Sequence, residues 1–100
     1  MTPDPALEDI VRRFLRRTEV DGEQLSQLAR QSTNPDEAMA EIRRLVHRLA
    51  GTAGTFGFAR LSETAQAVDE LFTGGAPERA LLQDRLSAVL AEIAEANEQH

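Results

Sequence analysis

Residues 34–57 of the chain read NPDEAMAEIRRLVHRLAGTAGTFG and contain a strong signal for the start of a helix. Asn34 can cap this helix by accepting a hydrogen bond from a free backbone amide. Pro35 suits the first helical position, because the N–H that proline lacks is not needed there. Glu37 completes the spacing of a capping box. The stretch therefore predicts a helix over residues 35–56, despite two glycines near its end.

Apolar residues recur at helical spacing along almost the whole chain, and no stretch alternates in the way that a β-strand does. This spacing predicts four further helices, and Asp4 and Pro5 supply the cap and the first turn of the first one. Gly22 lies inside the second of the four and lowers its helix propensity. The expected ranges are 5–17, 19–30, 58–72 and 78–96.

The connections between the predicted helices are short. The clearest is TGGAP at residues 73–77, where glycines end one helix and a proline begins the next. No repeat, low-complexity tract or linker divides the chain, and 100 residues suffice for one core. Short connections between amphipathic helices are typical of bundles. We therefore expect one all-α domain over residues 1–100, an antiparallel four-helix bundle with an additional N-terminal helix.

The composition excludes several classes of function. The chain has no cysteine, tyrosine or tryptophan, and all 11 of its basic residues are arginine. Thiol nucleophiles, thiolate metal sites and lysine-dependent chemistry are therefore impossible. No apolar run approaches the roughly 20 residues that cross a bilayer, and the first residues do not have the pattern of a signal peptide. We expect a soluble, cytoplasmic protein.

Charge is unevenly distributed along the sequence. The formal net charge is −6, yet residues 41–60 carry four arginines and a single acid. The acidic balance argues against binding to nucleic acid, because the phosphate backbone would repel the protein. A basic segment in an acidic chain can attract an anionic group or the acidic face of a partner. Charge runs are usually solvated helix faces, which the charge alone favours here, and both interpretations stay open at this point.

His47 can be placed on its predicted helix by arithmetic, whereas His100 is the last residue of the sequence. At about 100° per residue, the apolar positions 42, 45, 46, 49 and 53 centre about 210° away from His47. The imidazole therefore points away from the expected core. A side chain that titrates near neutral pH is thus expected at the surface, in the middle of a helix.

Two glycines share the helix face of His47. Gly51 lies about 40° from it, and Gly54 about 20° to the other side. Inside a helix, each glycine costs roughly 0.5–1 kcal/mol relative to alanine. Helical turns without side chains would let a partner's backbone or a phosphoryl group approach the imidazole closely. Alternatively, these residues and Gly57 end the helix early or admit a crossing helix, and the spacing alone favours neither interpretation.

The segment HRLAGTAGTFG at residues 47–57, followed by Leu61, resembles the signature of histidine-containing phosphotransfer (HPt) domains. That signature has a histidine, an apolar residue two positions later, a lysine at three, a glycine at four and further glycines before the next helix. The resemblance extends to the number and length of the helices. It implies a four-helix bundle whose exposed histidine takes a phosphoryl group from an aspartyl phosphate on a response-regulator receiver domain and passes it to another receiver.

By this resemblance, His47 is the phosphoryl carrier and reacts through Nε2. Gly51 leaves room for the phosphoryl group, and Thr52 is expected to hydrogen-bond near the imidazole. Ala50 stands where the family has lysine, so another cation should help to hold a group that brings about −1.5 to −2 charges at pH 7. Arg44 and Arg48 are ranked first for this role. The surface expected to dock partners includes Arg43, Gly54 and Arg60, and the two arginines are further candidates for the cation.

The resemblance also implies that the domain has no cofactor, no bound metal and no autokinase activity, and that Mg²⁺ belongs to the acidic pocket of the receiver. The expected partners are receiver domains and a hybrid histidine kinase, with neither nucleic acid nor membrane. A monomer suits a carrier that visits two partners.

Other functions remain as alternatives. The first is an HPt-like module that docks on a receiver or kinase and regulates it without carrying phosphate. The loss of the lysine at Ala50 favours this module, and the retention of His47 and Gly51 opposes it. A helical scaffold would show a large exposed apolar patch, which the helical stripes do not suggest. A hydrolase would need a nucleophile and an orienting partner at recognisable spacing, and a zinc site would need further ligands.

Overall fold

In a computed structural model, residues 4–31 and 33–99 are described, and they form an all-helical structure. The four helices of these ranges are α1 (Pro5–Arg30), α2 (Pro35–Thr55), α3 (Ala59–Glu70) and α4 (Arg79–Glu98). No β-strand occurs among the described residues. The all-α class predicted from the sequence is therefore confirmed, whereas His100 lies outside the described residues.

The first helix differs from the prediction. The sequence predicts two helices over residues 5–17 and 19–30, but the chain forms one uninterrupted helix of 26 residues, so a separate N-terminal helix is wrong for the described chain. Thr18 is helical and buried, and its hydroxyl donates to the Leu15 carbonyl, 2.7 Å away in the preceding turn. Gly22 packs on α4, where Leu90 and Ile93 would lie 3.4 Å from an added Cβ. This packing outweighs the low helix propensity of glycine.

The predicted starts of α1 at Pro5 and of α2 at Pro35 are confirmed. The Asp4 side chain caps α1 by accepting from the amide of Ala6 at 3.0 Å. Asn34 caps α2, since its side-chain oxygen accepts from the Glu37 amide at 3.4 Å and its side-chain nitrogen donates to the Glu37 carboxylate at 2.8 Å. The turn after α2 contains Gly57 with φ of 83°, a left-handed conformation that glycine adopts readily. These local signals fix the start and the end of α2.

Each helix packs against two others, in the order α1, α2, α3, α4 and back to α1. α1 and α2 run in opposite directions, because Phe14 near the start of α1 stacks on Phe56 just after α2, with ring centroids 4.7 Å apart. α1 and α4 are also antiparallel, because Gln83 near the start of α4 donates to the Ala29 carbonyl at the end of α1, whereas Asn97 near the end of α4 donates to the Thr18 hydroxyl in the middle of α1, each at 3.3 Å. No described helix is both long and apolar enough to span a bilayer.

The hydrophobic core lies between the four helices, and each of them contributes buried side chains to it. α2 contributes its buried side chains to this core from one face, which leaves the opposite face of α2 in solvent. The buried apolar residues of α2 are Ala38, Ile42, Leu45, Val46, Leu49, Ala50 and Ala53.

Candidate functional site

His47 lies in the middle of α2 on the side turned away from the core. Its side chain is 77% exposed. The apolar residues of α2 from which the direction of the core was predicted are at most 2% exposed. They are Ile42, Leu45, Val46, Leu49 and Ala53. The predicted orientation of the imidazole is therefore confirmed.

The imidazole of His47 is held by Asp69, near the end of α3. Its Nδ1 lies 2.9 Å from Oδ2 of Asp69. A carboxylate can only accept a hydrogen bond, so Nδ1 carries the hydrogen in this contact. In the neutral ring, the other nitrogen, Nε2, then has no hydrogen and keeps its lone pair. The contact with Asp69 therefore selects the ring form in which Nε2 is the nucleophilic nitrogen.

Asp69 is shared with Arg43, which lies one helical turn before His47 on α2. Nε of Arg43 is 3.9 Å from Oδ1 of Asp69. The guanidinium carbon lies 5.9 Å from the centre of the Phe72 ring, within the range of a cation–π contact. Arg43, Asp69 and His47 thus form a continuous row of polar side chains that joins α2 to α3.

A shallow hollow of about 540 Å³ surrounds this row. It is lined by Ala40, Arg43, Arg44, His47, Arg48 and Asp69. Three of these residues are cationic and one is acidic, so the lining itself has an excess of positive charge, although Arg44 and Arg48 also pair with Glu41 and Asp21. A concave surface of this sign attracts anionic groups.

The two arginines ranked first from the sequence have partners of their own. Arg44 donates through both Nε and Nη2 to the carboxylate of Glu41 on the same helix, with 3.1 Å between Nε and Oε2. The hydrogen bond from Arg44 holds the pKa of Glu41 below its usual value, and the same bond raises the pKa of Arg44. Nη2 of Arg48 donates to the buried carboxylate of Asp21 at 3.0 Å. Arg48 therefore fastens α2 to α1.

The two glycines beside His47 have different surroundings. A Cβ added to Gly51 would meet nothing within 4 Å, so the packing of the helices does not require a bare backbone there. A Cβ added to Gly54 would lie 3.3 Å from Oγ of Ser62 on α3. That hydroxyl donates to the Ala50 carbonyl at 2.8 Å. Gly54, predicted to dock partners, therefore serves the close approach of α3 to α2.

The other predicted residues do not converge on the ring. Ala50 is buried, and its carbonyl accepts from α3. The hydroxyl of Thr52 donates to the Arg48 carbonyl within its own helix, so the structure does not place it against the imidazole. Arg60 pairs with Glu92 of α4 at 3.4 Å. It also precedes Asp69 by nine residues, about 13 Å along the helix axis, so Arg60 does not reach His47.

Sequence reasoning missed Asp69, although the hairpin of α2 and α3 contains a signal for it. Gly54 lies three residues before Gly57, and its contact Ser62 lies five residues after it. His47 lies ten residues before Gly57, and its contact Asp69 lies twelve residues after it. The same offset of two residues relates both pairs. One known contact across the hairpin would therefore have placed Asp69 opposite His47.

Asp21 was also missed. Its carboxylate is buried in α1 and accepts from Arg48, with Nε of Arg17 3.6 Å away. The sequence contains no local signal for this ion pair, because Asp21 is a single acid in the middle of a helix and its partner Arg48 lies 27 residues further along the chain.

A family model described as Hpt domain matches residues 9–99. The chain therefore belongs to the Hpt domain family, whose members take part in histidine phosphotransfer in two-component systems. Searches of curated proteins and of solved structures gave no significant match. The matched segment contains both His47 and Asp69, and therefore the complete contact between α2 and α3.

Proposed function

We propose that this Hpt domain carries a phosphoryl group on Nε2 of His47. In the proposed reaction, it accepts the group from an aspartyl phosphate on a receiver domain and passes it to an aspartate on another receiver. The observation that supports this most directly is the exposed imidazole, whose Nδ1 lies 2.9 Å from Asp69. This contact leaves Nε2 as the nitrogen with a free lone pair, on a side chain that a partner can reach.

The proposed transfer needs no base to remove a proton. The lone pair of Nε2 attacks phosphorus, the bond from phosphorus to the receiver's carboxylate oxygen breaks, and the carboxylate leaves with the bonding electrons. The ring then carries a positive charge and keeps its hydrogen on Nδ1. Asp69 faces that nitrogen and stabilises the cationic ring through a charge-assisted hydrogen bond. In the second transfer, an aspartate oxygen attacks phosphorus and the electrons of the broken bond return to Nε2.

Positioning and charge account for most of what the domain contributes, because phosphoryl transfer depends chiefly on alignment and on stabilisation of charge. Asp69 orients the ring, and the open surface at Gly51 gives the incoming phosphoryl group room. The positive hollow around His47 complements the acidic pocket of a receiver. In this proposal the domain has no cofactor of its own, and Mg²⁺ belongs to the receiver.

The proposed partners are receiver domains and a hybrid histidine kinase. The proposed location is the cytoplasm, where the domain would meet these partners. A monomer is the form proposed for it, because the exposed imidazole has to be presented to two different partners in turn. Size-exclusion chromatography with light scattering measures this directly, and a dimer that covers His47 would contradict it.

The experiment is phosphotransfer from a panel of receivers that carry a labelled phosphoryl group. We expect the wild-type domain to take up label within seconds to minutes from at least one receiver, and His47→Gln to take up none. His100→Gln is the matched control, since it removes the only other histidine and should be labelled like the wild type. Circular dichroism checks that each variant is folded. Equal labelling of His47→Gln and the wild type would refute the proposal.

A docking module that carries no phosphoryl group is the second candidate. It is favoured by Ala50 at the position of the family's lysine and by the engagement of Arg44 and Arg48 with Glu41 and Asp21. The same panel separates the two functions. Receivers that bind the domain tightly but never transfer label to it would support the docking module.

A further inference from the structure

The structure poses the question of which cation balances the phosphoryl group on His47. The group brings about −1.5 to −2 charges at pH 7, and such a charge at a protein surface is stabilised by arginine contacts. Ala50, at the position of the family's lysine, is buried against α3 and carries no charge. The cation therefore has to come from another position around the hollow that surrounds His47.

The three arginines that line this hollow differ in how firmly they are held. Arg44 makes two hydrogen bonds to Glu41. Arg48 bonds to Asp21 at 3.0 Å, and the Asp21 side chain is only 5% exposed. Withdrawing Arg48 would leave a buried carboxylate without its nearest partner, which is strongly unfavourable.

Arg43 is the least firmly held of the three. Its contact with Asp69, at 3.9 Å, is longer than a hydrogen bond, and 56% of its side chain is exposed. Positions 43 and 47 are one helical turn apart, so their Cβ atoms are about 5–6 Å from each other. The face of Phe72 supports the guanidinium at the edge of the hollow, 5.9 Å from the ring centre. Arg43 is therefore both close to His47 and free to exchange partners.

We propose that Arg43 is the cation that contacts the phosphoryl group on His47, and that Asp69 passes from Arg43 to the imidazole when the group is added. This inference rests on the proposed function. In the unmodified domain, Asp69 is shared between the ring and the guanidinium. Phosphorylation of Nε2 makes the ring cationic, and the Asp69 carboxylate then neutralises it. The guanidinium of Arg43 turns to the phosphoryl oxygens, so every charge in the row keeps an opposite partner.

The first test uses phosphoramidate, a small phosphoryl donor that needs no receiver, so that docking does not enter the measurement. The initial rate of His47 phosphorylation is compared between the wild type and three variants. We expect Arg43→Gln to be slower by about fivefold to tenfold, the effect of one exposed cation on a group that carries about −1.5 to −2 charges. Arg43→Lys keeps the charge and should stay within about threefold of the wild type. Arg85→Gln on α4 is the control, because Arg85 pairs with Asp84 on its own helix and does not line the hollow around His47.

The comparison with Arg44 makes this test specific. Arg44→Gln removes an equally exposed guanidinium from the same hollow, and we expect a clearly smaller loss than with Arg43→Gln. Equal losses in the two variants would overturn the assignment to Arg43. An Arg43→Lys rate as low as that of Arg43→Gln would also overturn it, because packing rather than charge would then be responsible.

A spectroscopic test on the wild-type domain does not depend on the variants being folded. The Nε–Hε resonance of Arg43 should shift when His47 is phosphorylated, while that of Arg44 should stay in place. An unmoved Arg43 resonance in the phosphorylated domain would overturn this inference and leave the proposed function intact. A wild-type domain that neither phosphoramidate nor any receiver phosphorylates on His47 would overturn both.

Discussion

Gly51→Ala should stabilise the domain and slow phosphoryl transfer. A Cβ at this position meets nothing within 4 Å, so no neighbouring atom has to move. Inside a helix, alanine is more favourable than glycine by roughly 0.5–1 kcal/mol. In a domain of about 100 residues, this gain raises Tm by about 2–8 °C. The added methyl group projects from the face of α2 that presents His47, where the proposed function needs open space.

Gly54→Ala is the matched comparison, with the same substitution three residues later on the same helix. Its Cβ would lie 3.3 Å from Oγ of Ser62, so the hydroxyl has to shift and weaken its 2.8 Å bond to the Ala50 carbonyl. A buried hydroxyl that loses its partner costs about 1–3 kcal/mol, which offsets the gain in helix propensity. We expect an unchanged or lower Tm, and a difference in unfolding free energy between the two variants of about 1–3 kcal/mol, which is the cost of the lost bond.

Thermal and urea unfolding followed by circular dichroism measure the stability of both variants, and transfer from one labelled receiver measures their function. Gly51→Leu extends the series, and we expect it to slow transfer by about tenfold or more, because a misplaced phosphoryl group reacts poorly. A Gly51→Ala variant destabilised as much as Gly54→Ala would contradict the open space beside residue 51. A Gly51→Leu variant that transfers at the wild-type rate would contradict the need for that space.

Two further substitutions test the contacts of α2 with its neighbours. Arg48→Met leaves the Asp21 carboxylate buried, with Arg17 at 3.6 Å as its remaining ion-pair partner among the described residues, and urea unfolding should show a loss of about 2–3 kcal/mol, larger than for Asp21→Asn. Equal losses of unfolding free energy in the two variants would show that the unpaired buried charge does not cause the destabilisation. Asp69→Asn should stay folded and slow transfer to His47 by about tenfold, because an amide can also bond the other ring tautomer. A rate equal to or above that of the wild type would speak against the orienting contact.

The features that depend on neighbouring residues could be predicted from the sequence. The caps at Asp4 and Asn34 satisfy backbone amides within three residues, so they are fixed locally. The outward orientation of His47 follows from helical period alone, because the core positions of α2 define its other face. The resemblance of the residues that follow His47 to the HPt signature identified the family.

The features that depend on distant residues could not be predicted in the same way. The break expected at residue 18 does not occur: α1 is one helix that packs against both α2 and α4, and its Gly22 lies against side chains of α4. Arg48 donates to Asp21, which is 27 residues away in sequence, so one of the two arginines ranked first for the phosphoryl group is already paired with a buried acid. Asp69 becomes a partner of His47 only through the register of the α2–α3 hairpin. Propensity and periodicity contain no information on such contacts.

The position of the phosphoryl group on the domain is the most direct measurement of its function. After transfer from a receiver and digestion at neutral pH, tandem mass spectrometry locates the modified residue, and phosphorus–proton NMR identifies the modified ring nitrogen. We predict one phosphoryl group, bound to Nε2 of His47. A phosphoryl group on Nδ1 or on any other residue would contradict the role of His47, as would an unmodified domain beside a receiver that phosphorylates other Hpt domains.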